Sequence, residues 1–194
     1  MSPILESIGS VKGFGWGAFA GSSFESISTV TVGAGGTTAI SFTSIPQTYT
    51  HLQIRGIGRS STASAGIVPI YIQLNATGSN HVSHWVYGDG GGAIAVYQSA
   101  ANLIYAGYAG QNSTTASSFG TSVIDILDYT NTNKYKTVRT LAGTDLSGSG
   151  RVGLFSGAWF GSTNAITRID LYINAGGDNF AQYSSFALYG IRGS

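Results

Sequence analysis

The stretch ITRIDLYINAGGDNFAQYSSFALYGIRGS, residues 166–194, shows the pattern that decides the fold. Its first part alternates polar and apolar side chains, the apolar ones being Ile169, Leu171 and Ile173. This period of two is typical of a half-buried β-strand, because successive side chains of a strand point to opposite faces. Residues 183–191 repeat it, with Phe186 and Leu188 on one face. We predict two strands, joined by the turn-rich segment 175–179 into an antiparallel hairpin that closes the domain.

The same alternation recurs from residue 24 onwards, broken by turns rich in Gly, Ser and Asn. It predicts nine or ten short strands at intervals near a dozen residues, with no amphipathic helix and no repeat of fixed length. This spacing is typical of a single antiparallel β-sandwich. We predict a jelly-roll topology, with a fibronectin-like or Greek-key sandwich as the alternative. Gly56 and Gly58, inside one predicted strand, indicate a β-bulge or a close approach to the backbone.

Residues 1–22 do not follow the strand pattern. Their aromatic residues Phe14, Trp16 and Phe19 are separated by glycines, and we interpret the segment as an extended arm that docks these rings on a neighbouring surface. The alternative is that the rings cover one end of the protein's own core, since aromatic side chains bury large areas wherever they pack. The chain therefore divides into an N-terminal arm, residues 1–22, and a β-sandwich domain, residues 23–194.

The composition limits the classes of function. Charged residues make up 9% of the chain, against about 25% in ordinary soluble domains. This low charge favours a protein packed against copies of itself or other proteins, with a neutral extracellular β-protein as the alternative. A net charge of +1 with scattered Lys and Arg predicts no nucleic-acid partner. We also predict no membrane span, because no apolar run approaches the ~20 residues that a helix needs.

The nearest approach to a metal site is His81 and His84 with Asp89. On a strand, positions three apart point to opposite faces, so these two imidazoles are predicted to be structural. Asp178 and Asn179 offer oxygens to calcium, but the spaced carboxylates of a calcium loop are absent and turn chemistry explains both residues. We predict neither a metal nor a cofactor.

Catalysis has few candidates in this sequence. Asp125 and Asp128 are three positions apart on a predicted strand, which separates them onto opposite faces and makes a poor glycosidase pair. There is no Gly-x-Ser-x-Gly elbow and no phosphate-binding glycine loop. The chain contains eight acidic residues and three histidines, so few side chains are candidates for a general acid or base. We predict that the protein is not an enzyme.

Aromatic residues in the middle of the chain suggest a binding role. Trp85 and Tyr87 stand next to the glycine-rich loop that holds Asp89. Such residues stack on sugars or anchor protein interfaces, although most of the aromatic residues in this region are expected to be structural.

Two motifs carry a resemblance to a known family. IPQTYTHLQIR, residues 45–55, and SSFALYGI, residues 184–191, resemble strands of small β-sandwich proteins encoded by tailed bacteriophages, including phages of cyanobacteria and other aquatic bacteria. The resemblance covers about residues 24–192. It implies a component of the virion surface, either a head decoration (cement) protein or a tail or fibre protein, and neither class implies a catalytic residue.

The resemblance and the composition together lead to two hypotheses. In the first, the protein is a capsid decoration protein on the outer surface of the phage particle. As a homotrimer, it binds the major capsid protein through Phe14, Trp16 and Phe19 and stabilises the head lattice. In the second, it is a tail-fibre or receptor-binding module next to other tail proteins, and it recognises host surface glycans with Trp85, Tyr87 and Asp89.

Overall fold

The computed structural model describes residues 23–64, 66–174 and 177–193, and these contain twelve β-strands and no α-helix. The strands are β1 (Phe24–Thr31), β2 (Ala39–Phe42), β3 (His51–Gly58), β4 (Ile67–Leu74), β5 (His81–Gly88), β6 (Ala93–Ala101), β7 (Ile104–Gly110), β8 (Gly120–Leu127), β9 (Lys136–Leu146), β10 (Ser149–Trp159), β11 (Ile169–Ile173) and β12 (Ser185–Ile191). No helix in these ranges has the length and apolarity needed to cross a membrane. Phe14, Trp16 and Phe19 lie outside the described residues.

The strands form two sheets, with the orders β1-β12-β3-β8-β9-β10-β5-β6 and β2-β11-β4-β7. Every pairing between named strands is antiparallel, and the predicted β-sandwich is confirmed. If the hairpins β5–β6 and β9–β10 are set aside, two four-stranded sheets remain, β1-β12-β3-β8 and β2-β11-β4-β7. The chain passes between them in the order of a double-sheet jelly roll, as predicted.

The two inserted hairpins enlarge only one of the sheets. β9, β10, β5 and β6 continue the larger sheet beyond β8, while the smaller sheet keeps four strands. The inner side of this extension packs under β7 in a second hydrophobic cluster, which contains Tyr108, Ala142 and Phe155 with Trp85 and Tyr105 at its margin. The extension therefore presents a broad outer face on which no described strand lies.

The predicted C-terminal hairpin is wrong. β11 pairs with β2 and β4 in the smaller sheet, whereas β12 pairs with β1 and β3 in the larger one. The segment between them crosses from one sheet to the other, and Phe180 on it is fully buried. Alternation predicted two strands with one buried face each; β12 alternates in this way, whereas in β11 Asp170 on the other face is buried as well. The prediction of nine or ten strands was also low, because the irregular region 93–110 forms β6 and β7.

The main core lies between the sheets and contains the apolar side chains that the alternation predicted, among them Ile54, Leu171, Phe186 and Leu188. Gly56 in β3 marks a close approach, as one of the two sequence interpretations proposed. A Cβ atom at this position would stand 2.1 Å from Cδ1 of Phe186. The ring of Phe186 fills the space above the glycine and packs edge-on against Phe180, with ring centres 5.6 Å apart.

His81 gives the fold a dependence on acid. Its ring is fully buried beside Trp159, and burial lowers its pKa below the ordinary value of 6.5, partly opposed by the backbone of Ala101. Below about pH 6.5 the His81 side chain binds a proton in the unfolded chain but not in the folded chain, so the free energy of unfolding falls as the pH falls. We expect the free energy of unfolding to decrease by up to ~1.4 kcal/mol per pH unit in that window.

Urea unfolding between pH 7.5 and pH 5 measures this slope. His81→Gln should flatten it, whatever the cost of the substitution at pH 7.5. His84→Gln is the matched control, because His84 is exposed on the other face of the same strand. Equal slopes for the wild-type protein and His81→Gln would refute the assignment.

Candidate functional site

The outer face of the extended sheet follows from strand alternation. Along β9 the side chains of Val138, Thr140 and Ala142 are buried towards β7, while those of Thr137, Arg139 and Leu141 point the other way and are exposed. β10 and β8 alternate in the same manner. An antiparallel sheet with one face in water normally carries polar side chains on that face. Here the outer face departs from this rule in one band.

The band is a row of apolar side chains that face one another across five strands. Val123 pairs with Leu141, Leu141 with Leu154, Leu154 with Val86, and Val86 with Ala95. The first four are exposed to 37%, 54%, 56% and 43%. Five strands at a spacing of ~4.8 Å make the row about 19 Å long. We call these five residues the apolar row.

Further exposed side chains widen the apolar row. Val152 on β10 is exposed to 59%, and Tyr97 on β6 is exposed to 62% and stacks on His84 with ring centres 5.2 Å apart. Single exposed apolar residues are common on proteins, but a contiguous apolar patch marks an interaction site. The row and its neighbours therefore form the best candidate for a docking surface in the described part of the chain.

Four hydrogen-bonded polar side chains lie on the outer face between β1 and most of the apolar row. Asp125 accepts hydrogen bonds from Gln53 Nε2 at 2.8 Å and from Arg139 Nη2 at 3.2 Å. Arg55 Nε donates to Gln53 Oε1 at 2.7 Å. We call these four residues the polar stripe. Their hydrogen bonds link β3, β8 and β9, and they separate the start of β1 from most of the apolar row.

The start of β1 lies on the same outer face. Phe24 stacks on Tyr189 with ring centres 4.7 Å apart, and the guanidinium carbon of Arg55 lies 5.1 Å from the centre of the Phe24 ring. Cations are attracted to the faces of aromatic rings at such distances. Phe24, near the first described residue, therefore packs on the outer face of the larger sheet at its β1 edge.

A second feature is an open cleft of about 660 Å³ between the β5–β6 and β9–β10 turns. Its charged lining residues are Asp89, Asp145 and Arg151, set among glycines. The Arg151 guanidinium lies over the ring of Tyr87 at 4.7 Å and over that of Tyr108 at 5.6 Å. Carboxylates, a guanidinium and accessible glycine backbone form a polar site of a kind that hydroxylated ligands use.

The structure separates the residues predicted to contact glycans. Asp89 lies exposed in the cleft, and Tyr87 is half-buried beside it under Arg151. Trp85 points into the second hydrophobic cluster, where its ring stacks on Tyr105 with centres 4.3 Å apart. Asp89 thus lines the cleft, whereas Tyr87 lies beneath Arg151 and Trp85 lies in the second hydrophobic cluster.

The residues of the apolar row were missed by sequence reasoning. A signal was available, because Leu154 precedes the buried Phe155, and Val86 lies between the half-buried Trp85 and Tyr87. A strand with apolar side chains on both faces either buries both faces or leaves one apolar face exposed to solvent. Only the register of five strands shows that these exposed residues align.

Apart from Asp89 in the cleft, side chains considered for metal binding or catalysis make structural contacts in the described residues. His81 and His84 point to opposite faces of β5, as predicted. Asp178 is buried and accepts a hydrogen bond from Ser60 Oγ at 3.1 Å. The pKa of Asp128 is lowered, chiefly by a hydrogen bond from Lys134 Nζ at 2.7 Å. No group of three or more His, Cys, Asp or Glu side chains within the described ranges is placed to hold a metal ion.

The fold and the site define an antiparallel jelly-roll protein whose larger sheet exposes an apolar face. No known family model matches the sequence, and no curated protein matches it. One solved structure, the CBM2 module of the evolved Dit of Lactobacillus casei BL23 phage J-1, aligns over 80% of this chain and 70% of its own, with 13% identity and a TM-score of 0.28. A likeness at this level carries no argument about fold or function.

Proposed function

We propose that the protein is a structural, non-catalytic component of a tailed-phage particle: a capsid decoration protein on its outer surface that binds and stabilises the head lattice. The observation that carries this proposal is the apolar row on a chain with 9% charged residues. The two motifs behind the phage resemblance, residues 45–55 and 184–191, contribute to the adjacent strands β3 and β12. The partners are other copies in a homotrimer and the major capsid protein.

The size of the outer face fits a contact that is weak for each copy. A region five strands wide and seven residues long covers roughly 450 Å² at standard strand spacings. Were all of that area apolar, covering it would contribute about 11 kcal/mol at 25 cal/mol per Å²; Arg139, Ser156 and His84 share the face, so the gain is smaller, and association costs 4–15 kcal/mol. One contact alone therefore gives modest affinity. Many copies repeated on a lattice gain through multivalency, which suits a protein that reinforces a shell.

Removing the proposed arm tests the attachment. Deletion of residues 1–20 should reduce binding to capsids at least tenfold, because it removes Phe14, Trp16 and Phe19, while the sandwich stays folded. Co-sedimentation with capsids that lack the protein measures binding, and circular dichroism checks the fold. The triple variant Phe14→Ser, Trp16→Ser, Phe19→Ser should behave like the deletion. Ser7→Ala with Ser10→Ala is the matched control and should bind normally. Full binding by the deletion variant would refute the role of the arm.

The cleft supports a second candidate, a tail-fibre or receptor-binding module that recognises host surface glycans beside other tail proteins. Asp89 and Asp145 offer acceptors to sugar hydroxyl groups, and Arg151, which covers the ring of Tyr87, offers donors. Sugar sites commonly contain a few such polar groups in an open cleft. The cleft is open, so one end of a longer glycan chain has access to it.

Substitutions in the cleft test this candidate. Asp89→Asn and Arg151→Ala should each lower adsorption to host cells at least fivefold if the cleft binds glycans, because each removes charge-assisted hydrogen bonds. Arg139→Ala removes a charge from the polar stripe, away from the cleft, and serves as the control. Undiminished adsorption of both cleft variants would exclude the cleft as a glycan site.

A further inference from the structure

β6 forms an open edge of the larger sheet, and its sequence does nothing to protect that edge. It is the last strand in the sheet order, and none of its nine residues is charged or a proline. Edge strands normally are very short or carry a charge, a proline or a central bulge, because their free N–H and C=O groups pair readily with another strand. The register of β6 shifts only near its C-terminal end, opposite residues 81–83. Residues 93–98 therefore form a regular, uncharged edge.

The other three sheet edges have such protection. β1 carries the charged Glu25, and its register shifts in the middle of the strand. β2 is only four residues long. Two backbone groups of β7 are occupied by groups outside its own sheet, because the N–H of Tyr105 donates to Ser83 Oγ at 3.0 Å and the C=O of Gly110 accepts from the N–H of Ser60 at 2.9 Å. Among the described strands, β6 is thus the edge best suited to pair with a further strand.

The side chains of β6 fit a second β6 strand that runs antiparallel. Odd-numbered residues of 93–98 lie on the outer face of the sheet, and even-numbered ones lie on the inner face. Directly opposed residues of an antiparallel pair point to the same face, which a pairing with Ala95 opposite its own copy satisfies at every position. This register sets the small Ala93 opposite the large Tyr97 on the outer face. On the inner face it sets Ile94, which is exposed to 42%, opposite Val96.

We propose that two copies of this chain pair through β6, antiparallel and centred on Ala95, so that their two eight-stranded sheets continue into one another. The two-fold axis is perpendicular to the sheet and keeps both outer faces on the same side. The two apolar rows, each of which ends at Ala95, then meet end to end and form a row about 43 Å long at ~4.8 Å per strand.

This contact is isologous and closes at two copies. A homotrimer that forms through other surfaces, as in the proposed function, is doubled by it to six copies. The inference rests on the proposed function only in treating the protein as a component that assembles, and it applies to the purified protein without any phage particle.

Substitutions at Ala95 test the pairing, because the axis places this residue opposite its own copy. Ala95 is exposed, so the fold tolerates a charge there. Ala95→Glu and Ala95→Lys each set two like charges about 5 Å apart and should weaken the pairing at least tenfold. An equimolar mixture of the two variants should pair again, because each glutamate then faces a lysine. Thr137→Glu and Thr137→Lys add the same charges on the outer face away from β6 and are the controls.

Sedimentation velocity measures mass, and circular dichroism confirms that each variant is folded. The full chain and the controls should have near twice the chain mass of 20.0 kDa, or near six times if the trimer also forms. Either Ala95 variant alone should have half the mass of the full chain, and the mixture should regain it. Hydrogen exchange in residues 93–98 should be faster in each Ala95 variant than in the full chain.

Three results would each overturn the proposal: a monomeric or trimeric full chain, Ala95 variants that keep the mass of the full chain, or a mixture that stays at half that mass. Paired copies that neither form a trimer nor bind capsids would instead contradict the proposed function alone.

Discussion

Arg59→Ala is expected to lower the free energy of unfolding by about 3 kcal/mol, because it removes a buried side chain together with its charged hydrogen bonds to the backbone. Arg59 is buried at the end of β3, and among the described residues its guanidinium donates to backbone carbonyls rather than to a carboxylate. The acceptors are the oxygens of Asn112 at 3.0 Å, Thr114 at 3.4 Å, Thr115 at 2.9 Å and Ser118 at 2.7 Å. One side chain thus bonds to four positions of the loop between β7 and β8.

Urea unfolding measures this loss, and hydrogen exchange locates it. Protection should fall in residues 111–119 before it falls in the core strands, since the loop loses its only charged donor within the described residues. Arg59→Lys should be intermediate, because a single ammonium group cannot reproduce the planar fork of donors. Arg139→Ala is the matched control, as its side chain is exposed to 67%, and it should cost less than about 1 kcal/mol. A loss below about 1 kcal/mol for Arg59→Ala would contradict this account of the loop.

Gly56→Ala has the second large expected effect, a loss of about 2 kcal/mol from overpacking. In an open strand the same change gains roughly 0.5–1 kcal/mol, because alanine loses less conformational freedom on folding. Here the new Cβ would lie 2.1–2.6 Å from three atoms of the Phe186 ring. That ring is fully buried and its position is fixed by Phe180, so it has no space to move into. The steric clash therefore outweighs the entropic gain.

A double-mutant cycle identifies the clash as the cause. In the background of Phe186→Leu, which removes ring atoms above the glycine, Gly56→Ala should cost at least 1 kcal/mol less than in the wild-type protein. Gly33→Ala is the control, since nothing lies within 4 Å of its Cβ position, and it should be close to neutral. Strictly additive effects of the two substitutions, measured by urea unfolding, would exclude the contact between Gly56 and Phe186 as the source.

The sequence was sufficient for the strands because their pattern is local. Ile169 to Ile173 and Phe186 to Leu188 alternate as half-buried strands do, and the structure places these side chains in the main core. The alternation states which face of a strand is buried, but not which strand lies beside it. For that reason β11 and β12 were predicted as a hairpin, although they lie in different sheets on opposite sides of the core.

The candidate site depends on information that alternation does not carry. Val123, Leu141, Leu154 and Val86 come from four strands spread over the chain, and only the register of these strands aligns them. Arg59 was not singled out for a similar reason, since its acceptors lie more than fifty residues away. Trp85, Tyr87 and Asp89 were predicted from local composition, which does not show that only Asp89 lines the cleft.

A cryo-EM reconstruction of the intact phage particle tests the central claim most directly, because it shows where the chain lies and what covers its larger sheet. The account predicts copies of the jelly roll at symmetry axes of the head, on its outer surface, with the apolar row covered by protein. Copies found only at the tail, or copies on the head with the apolar row open to solvent, would contradict it.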